Sequence, residues 1–176
     1  RVVEVGAGHS TRFFARAVAD GGLEATIRTI DPAPRAVLSG LPVDFRRGTL
    51  QSVGVGAFEG LEAGDVVSID SSHILMPGTD LDYFFGRVLP LLPPGILLHI
   101  HDIFLPDAYP AHWEWRGYNE QLAVLALLFG GAWQPLWASH YVATRMAATV
   151  AASPAAALPL RDGAVESSLW LRRRPG

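Results

Sequence analysis

Short apolar runs alternate along the chain with longer segments in which apolar residues recur at helical spacing. The runs predict strands over residues 2–5, 25–30, 43–45, 65–70, 96–101, 137–143 and 168–171. The longer segments predict helices over residues 10–19, 32–38, 80–92 and 119–129. Strands that alternate with helices are typical of an α/β fold with a largely parallel sheet.

Two of the predicted helices have an apolar face that we expect to pack on the sheet. The face of the first helix consists of Phe13, Phe14, Ala17 and Val18, and that of the last consists of Leu122, Leu125, Ala126 and Phe129. The segment 104–115 is rich in proline and aromatic residues and is predicted to be a loop. The alanine-rich segment 147–157 is predicted to be a connector.

The composition is that of one folded domain. The chain has 176 residues, of which 49% are hydrophobic and 18% are charged, as in globular domains rather than disordered chains. We therefore expect a single domain over residues 1–176. Because the first residue is not methionine, we also expect that a preceding segment is missing.

The net charge and the absence of cysteine indicate which binding partners and which cellular compartment to expect. The net charge is −3 and the basic run at 172–174 stands alone, so we expect no nucleic-acid partner. No apolar run is long enough to span a membrane and no signal peptide is visible, so we expect no membrane partner. The absence of cysteine excludes disulfides and thiolate metal sites, and we expect a cytoplasmic protein.

The first strand leads directly into a glycine turn and a helix. Gly6 and Gly8 allow a sharp turn and a close approach of a ligand, and Ser10 and Thr11 are favoured residues at a helix N-terminus. Free N–H groups at such a helix start bind polar groups of a cofactor. Asp31 ends the second strand 23 positions after Gly8, which suits a carboxylate that accepts hydrogen bonds from ribose hydroxyls.

Nicotinamide dinucleotides and S-adenosylmethionine both carry such a ribose. Two residues depart from the dinucleotide pattern: Thr11 stands in place of its third glycine, and Glu4 precedes the turn. These residues by themselves do not decide between a nicotinamide dinucleotide and S-adenosylmethionine.

Four stretches, in this order, resemble the motifs of class I S-adenosylmethionine-dependent methyltransferases of the small-molecule branch. They are VEVGAGHST at 3–11, IDP at 30–32, VSIDSSH at 67–73 and GILLHIHDI at 95–103. The resemblance implies a Rossmann-like, mostly parallel sheet of seven strands with helices on both faces. It also implies that the last strand inserts antiparallel beside the fifth.

The resemblance implies S-adenosylmethionine as the cofactor. In that family the residue matching Glu4 orients the glycine turn or meets the amino group of the methionine moiety, and the residue matching Asp31 holds the ribose. Thr49 stands where the family often has an acid beside the adenine. The expected cofactor-binding residues are Glu4, Gly6, Ala7, Gly8, Ser10, Asp31, Pro32, Thr49, Leu50, Asp70 and Ser71.

Methyl transfer to a hydroxyl or amine requires a proton acceptor, and the candidates follow the fourth and fifth strands. His73, three residues after Asp70, is the first candidate base, with packing against adenine or a loop as the alternative. His101 and Asp102 form the second candidate pair. We expect these three residues in catalysis.

Asp70 and Asp102 also raise the question of a divalent cation. Metal-dependent O-methyltransferases are similar in placing acidic ligands at these two strand ends. His101 stands where such enzymes have an oxygen ligand, which favours a softer ion or no ion. A metal at Asp70 and Asp102 is therefore an open expectation.

Three further sites have more than one interpretation. His99 is expected to be buried and hydrogen-bonded, since it lies deeper in the strand than His101. Trp113, with its neighbours in the aromatic loop, would wall an acceptor pocket or form an apolar lid. Glu120 is expected to complement the dipole of the helix that it begins, with contact to the substrate as the alternative.

These patterns together predict an S-adenosylmethionine-dependent methyltransferase acting on a small molecule, at an oxygen atom. A non-catalytic module that binds an adenosyl cofactor is the first alternative, and a nicotinamide-dependent oxidoreductase is the second. The expected partner is a small-molecule acceptor, and formation of a homo-oligomer stays open.

Overall fold

The computed structural model of the chain describes residues 1–158 and 162–176. Its strands are β1 (Val2–Val5), β2 (Ile27–Ile30), β3 (Asp44–Arg46), β4 (Val66–Ile69), β5 (Leu97–Ile100), β6 (Trp133–Ala138) and β7 (Leu169–Arg173). They form one sheet in the order β3-β2-β1-β4-β5-β7-β6. The pairs from β3 to β5 are parallel, and β7 runs antiparallel to β5 and β6. The predicted fold is confirmed, including the antiparallel last strand.

Helices fill most of the connections between the strands. They are α1 (His9–Asp20), α2 (Leu50–Val53), α3 (Asp80–Tyr83), α4 (Glu120–Phe129), α5 (Ser139–Arg145) and α6 (Ala147–Ala151). A π-helical turn at Phe84–Val88 and a 3-10 turn at Leu89–Leu91 continue α3, so the helix predicted over 80–92 is helical from Asp80 to Leu91. Within the described ranges, no helix is long and apolar enough to cross a membrane.

Apolar side chains form a separate cluster on each face of the sheet. The smaller cluster joins Val2, Ala15 and Ile27 beneath α1. The larger cluster lies on the opposite face, because side chains alternate along each strand. Its fully buried members include Val67, Leu81, Phe84, Val88, Ile96 and Leu98. Glu4 alternates with Val3 and Val5 and so points to the α1 face.

Two predicted elements are wrong. Residues 32–38 form bends and irregular chain rather than a helix, because Pro34 disfavours the helical conformation at Ala33 and the Asp31 carboxylate accepts the N–H of Ala33 at 2.6 Å. The strand predicted over 137–143 begins earlier, at Trp133, and ends at Ala138, where α5 takes over.

The buried faces of α1 and α4 also differ from the prediction. In α1, the predicted Phe14 and Val18 pack against the smaller cluster, but Thr11 and Ala15 are the buried residues and Phe13 is 77% exposed. In α4 the predicted core face points outward, with Leu122 at 70% and Phe129 at 85% exposure. The face that α4 buries begins with two polar residues, Glu120 and Gln121, followed by Val124.

Candidate active site

Four strands end at the same edge of the sheet because β1, β2, β4 and β5 are parallel. The register places their last residues side by side. The next residues along the chain, Gly6, Asp31, Asp70 and His101, therefore share this edge, where ligands of open α/β sheets bind.

The glycine turn lies tightly against the end of β4. Gly6 has a φ of 94°, and a Cβ added to it would sit 1.7 Å from the carbonyl oxygen of Asp70. The Asp70 N–H donates to the Val5 carbonyl at 2.9 Å and so continues the sheet past β1. In contrast, a Cβ added to Gly8 would meet nothing within 4 Å. The turn is thus closed toward the sheet at Gly6 and open at Gly8.

Glu4 holds the glycine turn from below. One of its carboxylate oxygens, Oε2, accepts hydrogen bonds from the hydroxyls of Thr11 and Thr29, the latter at 2.8 Å. The Thr11 hydroxyl in turn accepts the N–H of Gly8 at 3.0 Å. Burial raises the pKa of Glu4, and hydrogen bonds from Ser10, Thr11 and Thr29 oppose that increase. The other oxygen, Oε1, is buried without a hydrogen-bond partner.

Asp31 is oriented by two backbone N–H groups. Its Oδ2 accepts from Ala7 in the glycine turn at 2.8 Å, and its Oδ1 accepts from Ala33 at 2.6 Å. A carboxylate has about four lone-pair sites, so two of them remain for ligand hydroxyls. Ser71, beside the turn, has a buried hydroxyl with no partner. With Asp31, Ser71 and the open side of Gly8, this edge fits the ribose and methionine portions of S-adenosylmethionine.

The residues expected beside the adenine fit less well. The Thr49 hydroxyl accepts the Ser52 N–H at 3.3 Å and caps α2. Leu50 is 2% exposed and belongs to the larger core, so its side chain does not face a ligand. Pro32 is exposed, and its carbonyl accepts a hydrogen bond from Arg47.

His73 lies between three carboxylates. Its Nε2 is 3.3 Å from Oδ1 of Asp70 and 3.7 Å from Oδ2 of Asp102. Its Nδ1 forms a hydrogen bond with Oε1 of Glu120. The centre of its ring is 4.4 Å from that of Tyr118. His73, Asp102 and Glu120 are all buried, so the cluster is largely closed to water.

The charges of this cluster set the protonation of His73. Burial by itself would lower the pKa of His73, but hydrogen bonds to Asp70 and Glu120 and the negative charges nearby raise it to about 10. Burial raises the pKa of Glu120, and the contact with His73 opposes that increase. His73 is thus an imidazolium at neutral pH, and it has no free nitrogen with which to accept a proton.

The backbone of the cluster is held in an uncommon conformation. His73 and Asp102, with φ of 58° and 55°, are the non-glycine residues with positive φ in the described part of the chain. Such a conformation costs on the order of 1–3 kcal/mol and persists where the surroundings enforce it. Asn119 supplies part of that enforcement, since its N–H donates to the His73 carbonyl at 3.1 Å.

His101 has the exposure and the partner of a general base. Its side chain is 38% exposed, and its Nε2 lies 3.3 Å from Oδ1 of Asp102. The same oxygen accepts a hydrogen bond from the Ser167 hydroxyl at 2.9 Å. An accessible imidazole oriented by a buried, anchored carboxylate is suited to proton transfer. Of the two candidate bases, the geometry favours His101 over His73.

The structure does not support a metal at Asp70 and Asp102. Residues 1–158 and 162–176 contain no group of three or more His, Asp or Glu side chains arranged to hold a metal ion. The physical reason is His73, whose protonated Nε2 faces both carboxylates. The imidazolium of His73 thus occupies the position beside Asp70 and Asp102 at which a metal cation was expected.

His99 is buried and hydrogen-bonded, as expected. Its Nδ1 is 2.9 Å from the Ser68 hydroxyl and its Nε2 is 3.2 Å from the Ser168 hydroxyl. Burial and the nearby charge of His101 lower the pKa of His99 to about 4. His99 is thus neutral at pH 7, unlike His73.

Glu120 and Ser167 were missed by sequence reasoning. Glu120 faces His73 rather than the helix dipole alone, and a carboxylate at the start of an otherwise apolar helix was the available signal. Ser167 reaches Asp102 from 65 positions along the chain, and no local pattern indicates such a contact.

Comparisons with known proteins were made for the whole chain. A family model described as a methyltransferase domain matches residues 3–103. No curated protein matches the chain. One matching solved structure is a mutant of the 16S rRNA (adenine(1408)-N(1))-methyltransferase from Catenulisporales acidiphilia. It has 18% identity and a TM-score of 0.43, and the match covers 98% of this chain and 84% of that chain.

That match corrects one prediction. Nucleic acid was excluded as a partner, but the matched protein is named for its action on ribosomal RNA. The exclusion rested on the net charge, which averages over the whole surface and does not describe any single patch. The exclusion is withdrawn, and the match assigns no substrate to this chain.

Proposed function

Because the chain belongs to the family of methyltransferase domains, whose model matches residues 3–103, it is an S-adenosylmethionine-dependent methyltransferase, and we propose that it methylates a hydroxyl group of a small molecule. The observation that carries the proposal is the accessible imidazole of His101 beside the buried Asp102, at the edge of the sheet where the cofactor would lie. Methylation at oxygen requires such a group, because the hydroxyl must lose a proton.

The glycine turn and Asp31 would hold the cofactor. Asp31 would accept hydrogen bonds from the ribose hydroxyls with the lone pairs that Ala7 and Ala33 leave free. Glu4 is fully buried and would hold the glycine turn in shape through the Thr11 hydroxyl. When bound, S-adenosylmethionine supplies a methyl group already activated by its positively charged sulfur.

His101 would act as the general base. As the acceptor oxygen bonds to the methyl carbon and the sulfur–carbon bond breaks to leave S-adenosylhomocysteine, His101 would accept the hydroxyl proton at Nδ1, the ring nitrogen that does not pair with Asp102. Asp102 stabilises the resulting imidazolium, and Ser167 keeps the carboxylate in place. A positioned base contributes roughly 10²–10⁴-fold to the rate.

His73 would position the site rather than take the proton. Its positive charge offsets part of the negative charge of Asp70, Asp102 and Glu120 and ties the end of β4 to the start of α4. Asp102 would keep negative charge with which to stabilise a protonated His101.

Substitution of His101 by glycine tests the proposal. We expect S-adenosylhomocysteine to bind H101G as it binds the wild type, while methyl transfer to hydroxyl acceptors falls roughly 10²–10⁴-fold. Transfer is measured by mass spectrometry over a panel of phenols and the matching anilines, and added imidazole should restore part of the activity. Unchanged transfer in H101G would remove His101 as the base. Methylation of amines rather than hydroxyls across the panel would overturn the oxygen assignment.

A further inference from the structure

Arg116 is a partly buried cation in the loop between β5 and α4, and it has no carboxylate partner in the described residues. Its Nε is buried without a hydrogen-bond partner, and its Nη1 donates to the Tyr118 hydroxyl at 3.4 Å. Arg28 is buried to a similar degree but donates to Asp44 at 2.8 Å and to the Ala57 carbonyl at 2.9 Å. A guanidinium has five donors in a planar fork, so most of those of Arg116 remain for a ligand.

Aromatic rings fix the position of this guanidinium. Its central carbon lies 3.9 Å from the centre of the Trp113 ring, 5.4 Å from Tyr118 and 5.5 Å from Trp115. Contacts of a cation with ring faces are attractive and directional. Gly117, at a φ of 65°, ends the 3-10 turn directly after Arg116. A ligand would therefore meet an arginine whose side chain is already ordered, which lowers the entropic cost of binding.

The neighbouring carboxylates are held by other cations. Asp107, in the same loop, pairs with Arg145 and with His140, and these contacts lower the pKa of Asp107 to about 2. Glu120 is the partner of His73. Neither carboxylate is available to neutralise Arg116.

The ring of Tyr118 lies between Arg116 and the cluster of His73 and its carboxylates. Tyr118 contacts Arg116 on one side, and its ring lies 4.4 Å from the ring of His73 on the other. Asn119 then joins this segment to the end of β4 through the His73 carbonyl. Arg116 thus lies in a loop that packs against this cluster through Tyr118.

We propose that Arg116, ordered by Trp113 and Tyr118, binds the carboxylate of the acceptor and makes hydroxylated aromatic acids the preferred substrates. The assignment rests on the proposed function, since it names the class of acceptor for the same site. The planar guanidinium matches a carboxylate through two parallel hydrogen bonds, and the surrounding rings suit an aromatic body.

Calorimetry on the protein loaded with S-adenosylhomocysteine tests this assignment. The probes are para-hydroxybenzoate, its neutral analogue para-hydroxybenzyl alcohol, and para-hydroxyphenyl phosphate. We expect the wild type to prefer the carboxylate, and R116Q to bind it about 10- to 100-fold more weakly with little change for the alcohol. R116K, which keeps the charge but loses the fork, should lie between the two. R87Q removes an exposed arginine on another element and serves as the matched control.

Each outcome bears on the assignment. Equal affinity of the wild type and R116Q for para-hydroxybenzoate would overturn it, as would a wild type that does not distinguish the acid from the alcohol. Tighter binding of para-hydroxyphenyl phosphate than of para-hydroxybenzoate would overturn the carboxylate assignment and indicate an acceptor that carries a phosphate ester. Failure of S-adenosylhomocysteine to bind would instead refute the cofactor on which the proposed function depends. Unfolding midpoints of R116Q and R116K show whether a loss of affinity is a loss of fold.

Discussion

Glu4 and Glu120 are both fully buried, yet they organise two halves of the site in different ways. Glu4, in the half that would hold the cofactor, is bound by the neutral hydroxyls of Thr11 and Thr29. Glu120, in the half that would hold the acceptor, is bound by His73, which is positively charged. In each glutamate the second oxygen has no partner. The cofactor half is thus held by hydrogen bonds from neutral hydroxyls to a buried carboxylate. The acceptor half is held by ion pairs between a buried histidine and carboxylates.

This difference predicts which changes each half tolerates. The cofactor half depends on the shape of a backbone turn, so steric changes should disrupt it most. The acceptor half depends on the balance of charge, so changes that keep the shape but remove a charge should disrupt it most.

Gly6 should give the largest effect. Gly6→Ala places a Cβ against the Asp70 carbonyl in a backbone conformation that disfavours side chains, and we expect a loss of about 4 kcal/mol or more in the free energy of unfolding. Gly8→Ala is the matched control, because its Cβ would meet no neighbour. Chemical denaturation measures both. Similar losses in the two variants would refute a turn that is closed only at Gly6.

Removal of the charge should destabilise the protein more at Glu120 than at Glu4. Glu120→Gln leaves His73 without one of its carboxylates, and we expect a loss of about 3 kcal/mol in the free energy of unfolding. Glu4→Gln keeps an acceptor for Thr11 and Thr29, so we expect a loss of about 1 kcal/mol. Denaturant unfolding of both variants, with the double variant of Glu120 and His73 to measure their coupling, checks the difference. Equal losses would contradict a charge-based acceptor half.

Two buried histidines should affect the pH dependence of stability, His73 at alkaline pH and His99 at acid pH. The pKa of His73 is raised from 6.5 to about 10, so its contribution is complete below pH 6.5 and is lost as the pH rises toward 10. The pKa of His99 is lowered to about 4, so its contribution is complete above pH 6.5 and is lost as the pH falls toward 4. The change at His99 amounts to about 3 kcal/mol in the free energy of unfolding.

Unfolding free energies measured across this pH range check the assignment. His73→Gln should flatten the alkaline decrease, and His99→Gln should flatten the acid decrease, each without altering the other. An alkaline decrease that persists in full in His73→Gln would show that His73 is not the cation of the cluster.

Ser167 should give the smallest effect. Ser167→Ala removes one hydrogen bond to Asp102, and we expect a loss of about 1 kcal/mol in the free energy of unfolding. If Asp102 orients His101, the same variant should lower kcat for a phenolic acceptor more than it raises KM. A change confined to stability would leave Ser167 with a structural role only.

The cofactor half could be predicted from the sequence because its contacts follow a compact motif. Glu4 and Thr11 are seven positions apart, and strand, glycine turn and helix follow one another without interruption. Asp31 belongs to the same pattern through its spacing from Gly8. The antiparallel β7 beside β5 was predicted with it, through the family resemblance.

The acceptor half could not be predicted to the same degree. The helix α4 is apolar on nearly every side after Gln121, so its periodicity does not identify the buried face. That face is decided by Glu120 and Gln121, which turn inward to reach His73 and the Phe104 N–H, the latter at 3.0 Å. These partners lie in other elements, and a single sequence carries no signal of them.

Titration calorimetry with S-adenosylhomocysteine tests the central claim most directly, with NAD as the comparison ligand and Asp31→Ala as the variant. The wild type should bind S-adenosylhomocysteine in the micromolar range and should not bind NAD. Asp31→Ala should weaken S-adenosylhomocysteine about 10- to 100-fold, because the ribose loses a charged acceptor. Preferential binding of NAD, or an unchanged affinity in Asp31→Ala, would contradict a cofactor site built on the glycine turn and Asp31.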